Sequence, residues 1–367
     1  MTDVLIFGDT IRTPELRHEV PFPAPDGFLY AERNGDRYVF VPSMEIPRLQ
    51  ELNGNLNLVS LEELGLDELI AQGMRWHEAD RELAVRACRR LGIEEAVTPH
   101  AFPLAVADHL RANGVSVRPD EALFEHRRRS KNDHEIAGIR RAQNAAQHAM
   151  DAIRARLRTG DVTSEDLRTD AMRAFTEAGA TSPDIVIVSH GPQTAVGHEP
   201  GHGPIAPNEP IVVDLFPQDP DSGCFADMTR TFCLGEPPGE LVEFHRLCLE
   251  ALELVYPAIR PGVNGEELHR LASEVFSEAG HPTQLTKEPG QVLDEGFYHS
   301  LGHGVGLEVH ENPLLGRNGQ ELVAGDVVAV EPGVYRQGFG GCRLEDLVLV
   351  TDDGYERLTD YPYDLAP

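Results

Sequence analysis

Four carboxylates and one imidazole in this sequence have the residue types and spacing of a site for two divalent metal ions. They are Asp214, Asp227, His303, Glu331 and Glu345. Oxygen ligands with a single imidazole suit Mn²⁺, Co²⁺, Fe²⁺ or Zn²⁺, and the ligand types do not choose among these ions. Two metals about 3.5–4 Å apart can hold a hydroxide together with the carbonyl group that it attacks. The five residues therefore indicate metal-assisted hydrolysis.

The two aspartates flank a predicted β-hairpin. Residues 217–223 are dense in turn formers and separate two strand-like apolar segments. A hairpin centred on the Pro220–Asp221 bond places Asp214 and Asp227 opposite each other, with Cβ atoms about 4.5–5.5 Å apart.

The two glutamates flank a second predicted hairpin. Centred on Gly338, it places Glu331 opposite Glu345. Opposed like charges destabilise a strand pair, and a bound cation removes that penalty. The alternative for either pair alone is two acids with raised pKa values, or two acids on a solvated face. Two matching hairpins with a histidine motif between them favour the metal site.

That motif contains three histidines within twelve residues, His299, His303 and His310, interleaved with three glycines. Glycine lets the backbone approach a ligand closely. Neutral imidazole is a common metal ligand and carries protons near neutral pH. A lone histidine is more often a core or surface residue, but this spacing favours a functional site.

The composition is that of a globular enzyme. The 367 residues are 41% hydrophobic and carry a formal net charge of −29, which argues against nucleic acids and anionic membranes as partners. No segment approaches the roughly 18 apolar residues of a membrane span, and the N-terminus lacks the features of a signal peptide, so we expect a cytoplasmic protein. The five cysteines form no CxxC pair, and we interpret Cys224 and Cys342 as packing residues.

The sequence predicts two domains with a boundary near residue 125. Residues 1–125 alternate strand-like and helical segments, which predicts a small α/β domain, and residues 126–367 form the second domain. We interpret the basic segment 126–131 as a solvated hinge between the two domains. Asn132 and Glu135 then form a capping box for a long helix.

The second domain contains a weak internal repeat. Arg158-Thr159-Gly160 and Arg260-Pro261-Gly262 each precede a helix with an apolar Leu-to-Phe spacing of eight, and each helix ends in a Glu-Ala-Gly sequence. Each unit is followed by one acid-bearing hairpin. Chance similarity of two amphipathic helices is the alternative, but the matching order of elements favours a duplication whose halves bring both hairpins to one centre.

The order Asp, Asp, His, Glu, Glu on a duplicated α/β half-pair resembles the pita-bread metallopeptidases, which include methionine aminopeptidase, aminopeptidase P and prolidase. The likeness covers residues 125–360. The preceding domain and the segments 303–311 and 342–346 are similar to the Xaa-Pro branch. The resemblance implies an α/β (α+β) pita-bread fold, a homodimer, and hydrolysis of the bond before proline by a hydroxide held between two metal ions, with Mn²⁺ expected. The implied substrate is a small peptide with proline at its second position.

The resemblance also implies individual roles. Asp227 and Glu345 would bridge both metals, Asp214 would complete one site, and His303 and Glu331 the other. Glu331 would also carry the proton to the leaving nitrogen. Four further residues would act beside the metals: His198 and His310 on the substrate, His299 in the proton relay, and Arg343 in orienting the last ligand or meeting a substrate carboxylate.

The sequence departs from the family pattern where Phe225 replaces a common tyrosine, and the loop between the two aspartates is longer. Two other functions remain open. One is a different hydrolase on this fold, either a general or methionyl aminopeptidase or a creatinase-like amidinohydrolase. The other is a non-catalytic binding module, which would be expected to lose ligands that are all present here.

Overall fold

The computed structural model describes residues 2–52 and 55–367, and the chain divides into two compact units, Met1–Arg128 and Arg129–Pro367. In the described residues, no helix is long and apolar enough to cross a membrane. Each unit has its own hydrophobic core.

The N-terminal unit is a mixed six-stranded sheet covered by helices. Its strands are β1 (Val4–Gly8), β2 (Phe28–Arg33), β3 (Asp36–Val41), β4 (Leu56–Ser60), β5 (Glu95–Thr98) and β6 (Ser116–Pro119). The order across the sheet is β4-β3-β2-β1-β5-β6. Its helices are α1 (Pro14–Glu19), α2 (Ile46–Gln50), α3 (Leu66–Ala71), α4 (Trp76–Leu91), α5 (Leu104–Ala112) and α6 (Glu121–Arg129). These elements agree with the alternation of strand-like and helical segments that predicted an α/β domain here.

The C-terminal unit consists of two similar halves. The first half contains α7 (Asp133–Leu157), α8 (Ser164–Glu177), β7 (Ile187–His190), β8 (Pro210–Leu215) and β9 (Met228–Cys233). The second half contains α9 (Gly239–Val255), α10 (Gly265–Glu278), β10 (Gly302–Gly304), β11 (Glu311–Leu315), β12 (Val327–Val330), β13 (Gly333–Arg336), β14 (Gly340–Arg343), β15 (Asp346–Val350) and β16 (Tyr355–Arg357). Each half packs one helix pair, α7 with α8 or α9 with α10, against its own strands.

Helix α7 begins at the predicted capping box. The side chain of Asn132 accepts a hydrogen bond from the Glu135 amide at 3.0 Å, and the Asn132 amide donates to the Glu135 carboxylate at 2.9 Å. These bonds satisfy amides that the helix itself leaves without partners. One face of the helix is buried in the core and carries Ile139, Ala146, Ala149, Ile153 and Leu157.

The duplication is visible in the backbone contacts before α8 and α10. The Ile205 amide donates to the Val162 carbonyl at 2.9 Å in the first half, and the Leu322 amide donates to the Val263 carbonyl at 2.8 Å in the second. The apolar pair on each helix is fully buried, Leu167 and Phe175 on α8, and Leu268 and Phe276 on α10.

The predicted register of the first acid hairpin is wrong by two residues. Asp214 pairs with Thr229 rather than with Asp227. The cause is the turn, in which the Asp219 amide donates to the Cys224 carbonyl at 2.8 Å and moves the hairpin centre one residue along the chain. A residue two positions from a strand partner lies on the same face, so Asp227 stays on the side of Asp214.

The second acid hairpin has the predicted register but is interrupted at the glutamates. The β12–β15 and β13–β14 ladders are both centred on Gly338. Between them, the Glu331 amide donates to the Leu301 carbonyl at 2.7 Å, and the Glu345 amide donates to the Thr229 carbonyl at 3.0 Å. The two glutamates therefore do not pair with each other, and Glu345 is attached to the first half.

The prediction that the basic segment 126–131 is solvated is wrong for Arg127 and Lys131, because both have carboxylate partners. In the N-terminal unit, Arg127 pairs with Glu32 at 2.7 Å. In the C-terminal unit, Lys131 forms an ion pair with Glu311, and the Lys131 side chain is only 2% exposed. A buried ammonium is tolerated only with such a partner.

Candidate metal centre

All five expected ligands line one cavity of about 310 Å³ in the C-terminal unit. Asp214 and His303 lie within strands β8 and β10, and the other three lie beside strand ends, Asp227 before β9, Glu331 after β12, and Glu345 between β14 and β15. The two halves of the unit thus contribute to a single site.

The ligand atoms are close enough to share metal ions. Atoms of Asp227, His303 and Glu345 all lie within 4.8 Å of one another. His303 Nε2 lies 3.8 Å from Asp227 Oδ2 and 3.7 Å from Glu331 Oε1. Asp214 lines the same cavity and is 8% exposed.

The carboxylates lack enough protein partners to balance their charge. Asp214 Oδ1 and Asp227 Oδ1 are buried, and neither has a hydrogen-bond partner among the described residues. Burial and the neighbouring Glu345 raise the pKa of Asp227 and of Glu331 well above their ordinary values. Burial and Asp214 raise the pKa of Glu345 to about 8. Uncompensated buried acids of this kind fit a cation site.

The histidine is held in the protonation state that a metal ligand needs. Burial, and then the nearby His310, lower the pKa of His303 to about 4, so its ring is neutral at pH 7. Its Nδ1–H donates to the Gly304 carbonyl at 3.1 Å. The lone pair is therefore on Nε2, the atom that faces Asp227 and Glu331.

Arg343 is bound to the wall of the site by four hydrogen bonds. Its guanidinium donates to Asp214 Oδ2 at 2.6 Å and to the Gly197 carbonyl at 3.2 Å. It also donates to the hydroxyls of Thr229 at 3.2 Å and Tyr335 at 3.4 Å. The ligand that Arg343 holds is therefore Asp214 rather than Glu345, the last ligand, which it was expected to orient.

The three other expected histidines occupy different places. His198 and His310 line the cavity, and the His310 ring centre is 4.2 Å from that of His303. His299 instead lies behind Glu331, with Nδ1 4.0 Å from the Glu331 carboxylate and Nε2 3.0 Å from the Tyr335 hydroxyl. The structure thus brings two of the three histidines into the cavity.

Two residues of the site were not predicted, Thr229 and Tyr335. The Thr229 hydroxyl donates to Glu345 Oε2 at 2.7 Å. The sequence contains a signal for it, since Asp227, Thr229 and Thr231 alternate and alternate residues of a strand share a face. Tyr335 touches both His299 and Arg343, and no sequence motif marks it.

The remaining cavity wall is mostly apolar and was also not predicted. It is formed by Ile185, Ile187, Phe216 and Val309, with the acidic Asp184 among them. Ile185 is 70% exposed. The wall comes from three separate segments, so only the tertiary structure could reveal it.

Comparison with known proteins agrees with this geometry. The model of metallopeptidase family M24 matches residues 137–352. A probable dipeptidase PepE of Mycobacterium tuberculosis is 31% identical over 337 residues, which cover 88% of this chain and 82% of that protein.

Solved structures share the fold over nearly the whole chain. The prolidase from Pyrococcus furiosus has a TM-score of 0.79 at 23% identity, covering 99% of this chain and 97% of its own. The X-Pro aminopeptidase from Thermotoga maritima has a TM-score of 0.80 at 23% identity, covering 98% of this chain and 96% of its own. The predicted pita-bread architecture is confirmed, and this chain belongs to metallopeptidase family M24.

Proposed function

We propose that this chain is a metal-dependent peptidase that hydrolyses the bond before proline in small peptides with proline at the second position. The observation that carries the proposal is the convergence of Asp214, Asp227, His303, Glu331 and Glu345 on one cavity. The relatives named as prolidase, dipeptidase and X-Pro aminopeptidase support the same chemistry.

Two divalent ions, with Mn²⁺ as the proposed pair, fit the ligand set. Asp227 and Glu345 would bind both ions, Asp214 would complete one site, and His303 with Glu331 the other. Two observations support this assignment. Asp214 Oδ1 and Asp227 Oδ1 have no hydrogen-bond partner among the described residues, and the pKa values of Asp227 and Glu345 are raised. When bound, such a pair activates water and polarises a carbonyl group.

Side chains of this protein would transfer the protons and hold the substrate and the metal ligands in position. Glu331 keeps 18% exposure of its side chain toward the cavity, and we assign it the acceptance of a proton from water and its delivery to the leaving nitrogen. His198 and His310 line the same cavity; His198 would contact the substrate near the scissile bond, and His310 would bind the substrate carbonyl. His299 and Tyr335 hold each other behind Glu331, and Arg343 holds Asp214.

Proline at the second position suits the apolar part of this cavity. The ring is apolar and rigid, and side chains such as Ile187, Phe216 and Val309 offer an apolar surface on which it can pack.

The organisation proposed for the chain is a catalytic domain at 126–367 preceded by an N-terminal domain at 1–125. The division of the fold into units at Arg128 and the family match at 137–352 support it. We also propose a homodimer, on the resemblance to the Xaa-Pro branch alone. Sedimentation velocity would test this, and a monomer at micromolar concentration would reject it.

The test of the proposed function is a peptide panel. Metal-stripped and Mn²⁺-reloaded protein are incubated with Ala-Pro, Met-Pro, Ala-Pro-Ala and Met-Ala, and product release is followed by chromatography. We expect metal-dependent cleavage of the Xaa-Pro bonds and little cleavage of Met-Ala. Cleavage of Met-Ala with no cleavage before proline would replace the proposal with a general or methionyl aminopeptidase.

A further inference from the structure

A buried ion pair lies directly behind the metal ligand Glu345. Arg230 on β9 and Asp346 on β15 meet at 2.8 Å, and each side chain is 1% exposed. Neither residue lines the cavity or takes part in the chemistry proposed above. Two charges removed from water are costly and are kept only where every polar atom is satisfied.

The guanidinium of Arg230 joins the two halves at the ligand itself. Its Nη1 donates to the Glu345 carbonyl at 2.7 Å and to the Thr229 carbonyl at 2.9 Å. These are the two residues whose backbones already meet through the Glu345 amide. Arg230 therefore fixes the peptide that carries Glu345 against the strand that follows Asp227.

Residues 361–363 supply further contacts to this ion pair. The carbonyls of Tyr361 and Pro362 accept from Arg230, each at 2.9 Å. The Tyr363 ring stacks under the guanidinium at 4.4 Å, and its hydroxyl donates to Asp346 Oδ2.

The Asp346 carboxylate has further hydrogen-bond partners besides Arg230 and Tyr363. Its Oδ2 also accepts from the Tyr256 hydroxyl at 2.6 Å, and the Arg357 guanidinium lies 3.7 Å away. The orientation of Asp346 thus depends on two tyrosine hydroxyls, one from the end of the chain and one from the segment after α9.

We propose that Arg230, Asp346, Tyr256 and Tyr363 form a positioning cluster that fixes Glu345 and thereby sets the affinity of the centre for its metal ions. The inference rests on the proposed metal site but not on the substrate. Residues behind a ligand limit the orientations of that ligand, and changing them typically lowers metal affinity by about 10–100-fold.

The test compares two Tyr-to-Phe variants of the same segment. Tyr363→Phe removes the hydroxyl bound to Asp346 and keeps the ring under Arg230. Tyr361→Phe is the matched control, because its hydroxyl donates to Asp151 on α7 at 2.8 Å instead. The dissociation constant for Mn²⁺ is measured from free Mn²⁺ by electron paramagnetic resonance, without any peptide present.

We expect Tyr363→Phe to weaken Mn²⁺ binding by about 10-fold, with kcat recovering at saturating Mn²⁺, and Tyr361→Phe to leave the dissociation constant unchanged. Asp346→Asn should weaken binding further. A melting temperature that falls equally in both tyrosine variants, with no change in either dissociation constant, would reduce the cluster to a structural role. Because the binding readout uses no peptide, failure of the Xaa-Pro assay would leave this result intact, and the reverse also holds.

Discussion

Removal of the metal ions should make the stability of the protein fall as pH rises from 6.5 to 8. Burial and Asp214 raise the pKa of Glu345 from an ordinary 4.5 to about 8. The folded, metal-free state then holds a proton that the unfolded chain has released. Its stabilising effect is complete below pH 4.5 and is lost as pH rises through the folded pKa.

The magnitude follows from the linkage between proton binding and folding. One proton held only by the folded state changes the free energy of unfolding by about 1.36 kcal/mol per pH unit, so 1.5 units give at most about 2 kcal/mol for Glu345. The raised pKa values of Asp227 and Glu331 act in the same direction. The lowered pKa of His303 acts in the opposite direction, but only between about 4 and 6.5.

The assay is urea denaturation of chelator-treated and Mn²⁺-loaded protein at pH 6.5 and pH 8, followed by circular dichroism. Fluorescence would be the wrong readout, since the single tryptophan, Trp76, lies in the N-terminal unit. Glu345→Gln is the control, because an amide does not titrate and the pH dependence should become smaller. A metal-free stability that stays level or increases over this interval would refute the reasoning.

Three further predictions concern individual side chains. Glu331→Gln should lower kcat for Ala-Pro by at least about 10²-fold, since proton transfer is lost, while circular dichroism stays unchanged; retained turnover would reject its role. Arg343→Lys should weaken Mn²⁺ binding by about 10-fold, because a lysine ammonium cannot reproduce the planar set of bonds to Asp214 and its neighbours; calorimetric titration showing wild-type affinity would contradict this. Asp184→Asn should lower the ratio of kcat/KM for Arg-Pro over Ala-Pro by about 5-fold, because the carboxylate on an apolar wall suits an aliphatic stem with a cationic head; an unchanged ratio would exclude Asp184 from substrate selection.

Local signals in the sequence predicted much of the architecture. The capping box of Asn132 and Glu135, the eight-residue spacing on α8 and α10, and the register of the second hairpin depend on residues close together in the chain. These features are governed by periodicity and hydrogen bonding between neighbours, which a single sequence displays.

Two of the errors arose where segments far apart in the sequence interact. The Thr229 carbonyl accepts from the Glu345 amide, which a simple hairpin would have paired with Glu331. The basic segment at 126–131 looked solvated because its carboxylate partners, such as Glu311, are far away in the sequence. The register of the first hairpin is a different case, since the Asp219–Cys224 contact that moves it is local, but the run of turn formers does not show where in the loop the turn closes.

The attachment of Glu345 to Thr229 has a consequence for synthesis of the protein. The two residues are 116 positions apart, and Asp227 and Glu345 come from different halves. A nascent chain that has only emerged as far as β9 therefore carries two aspartates but no complete ligand set. Peptidase activity therefore requires the segment that carries Glu345 to fold against β9, and a chain that stops before Glu345 lacks a complete ligand set.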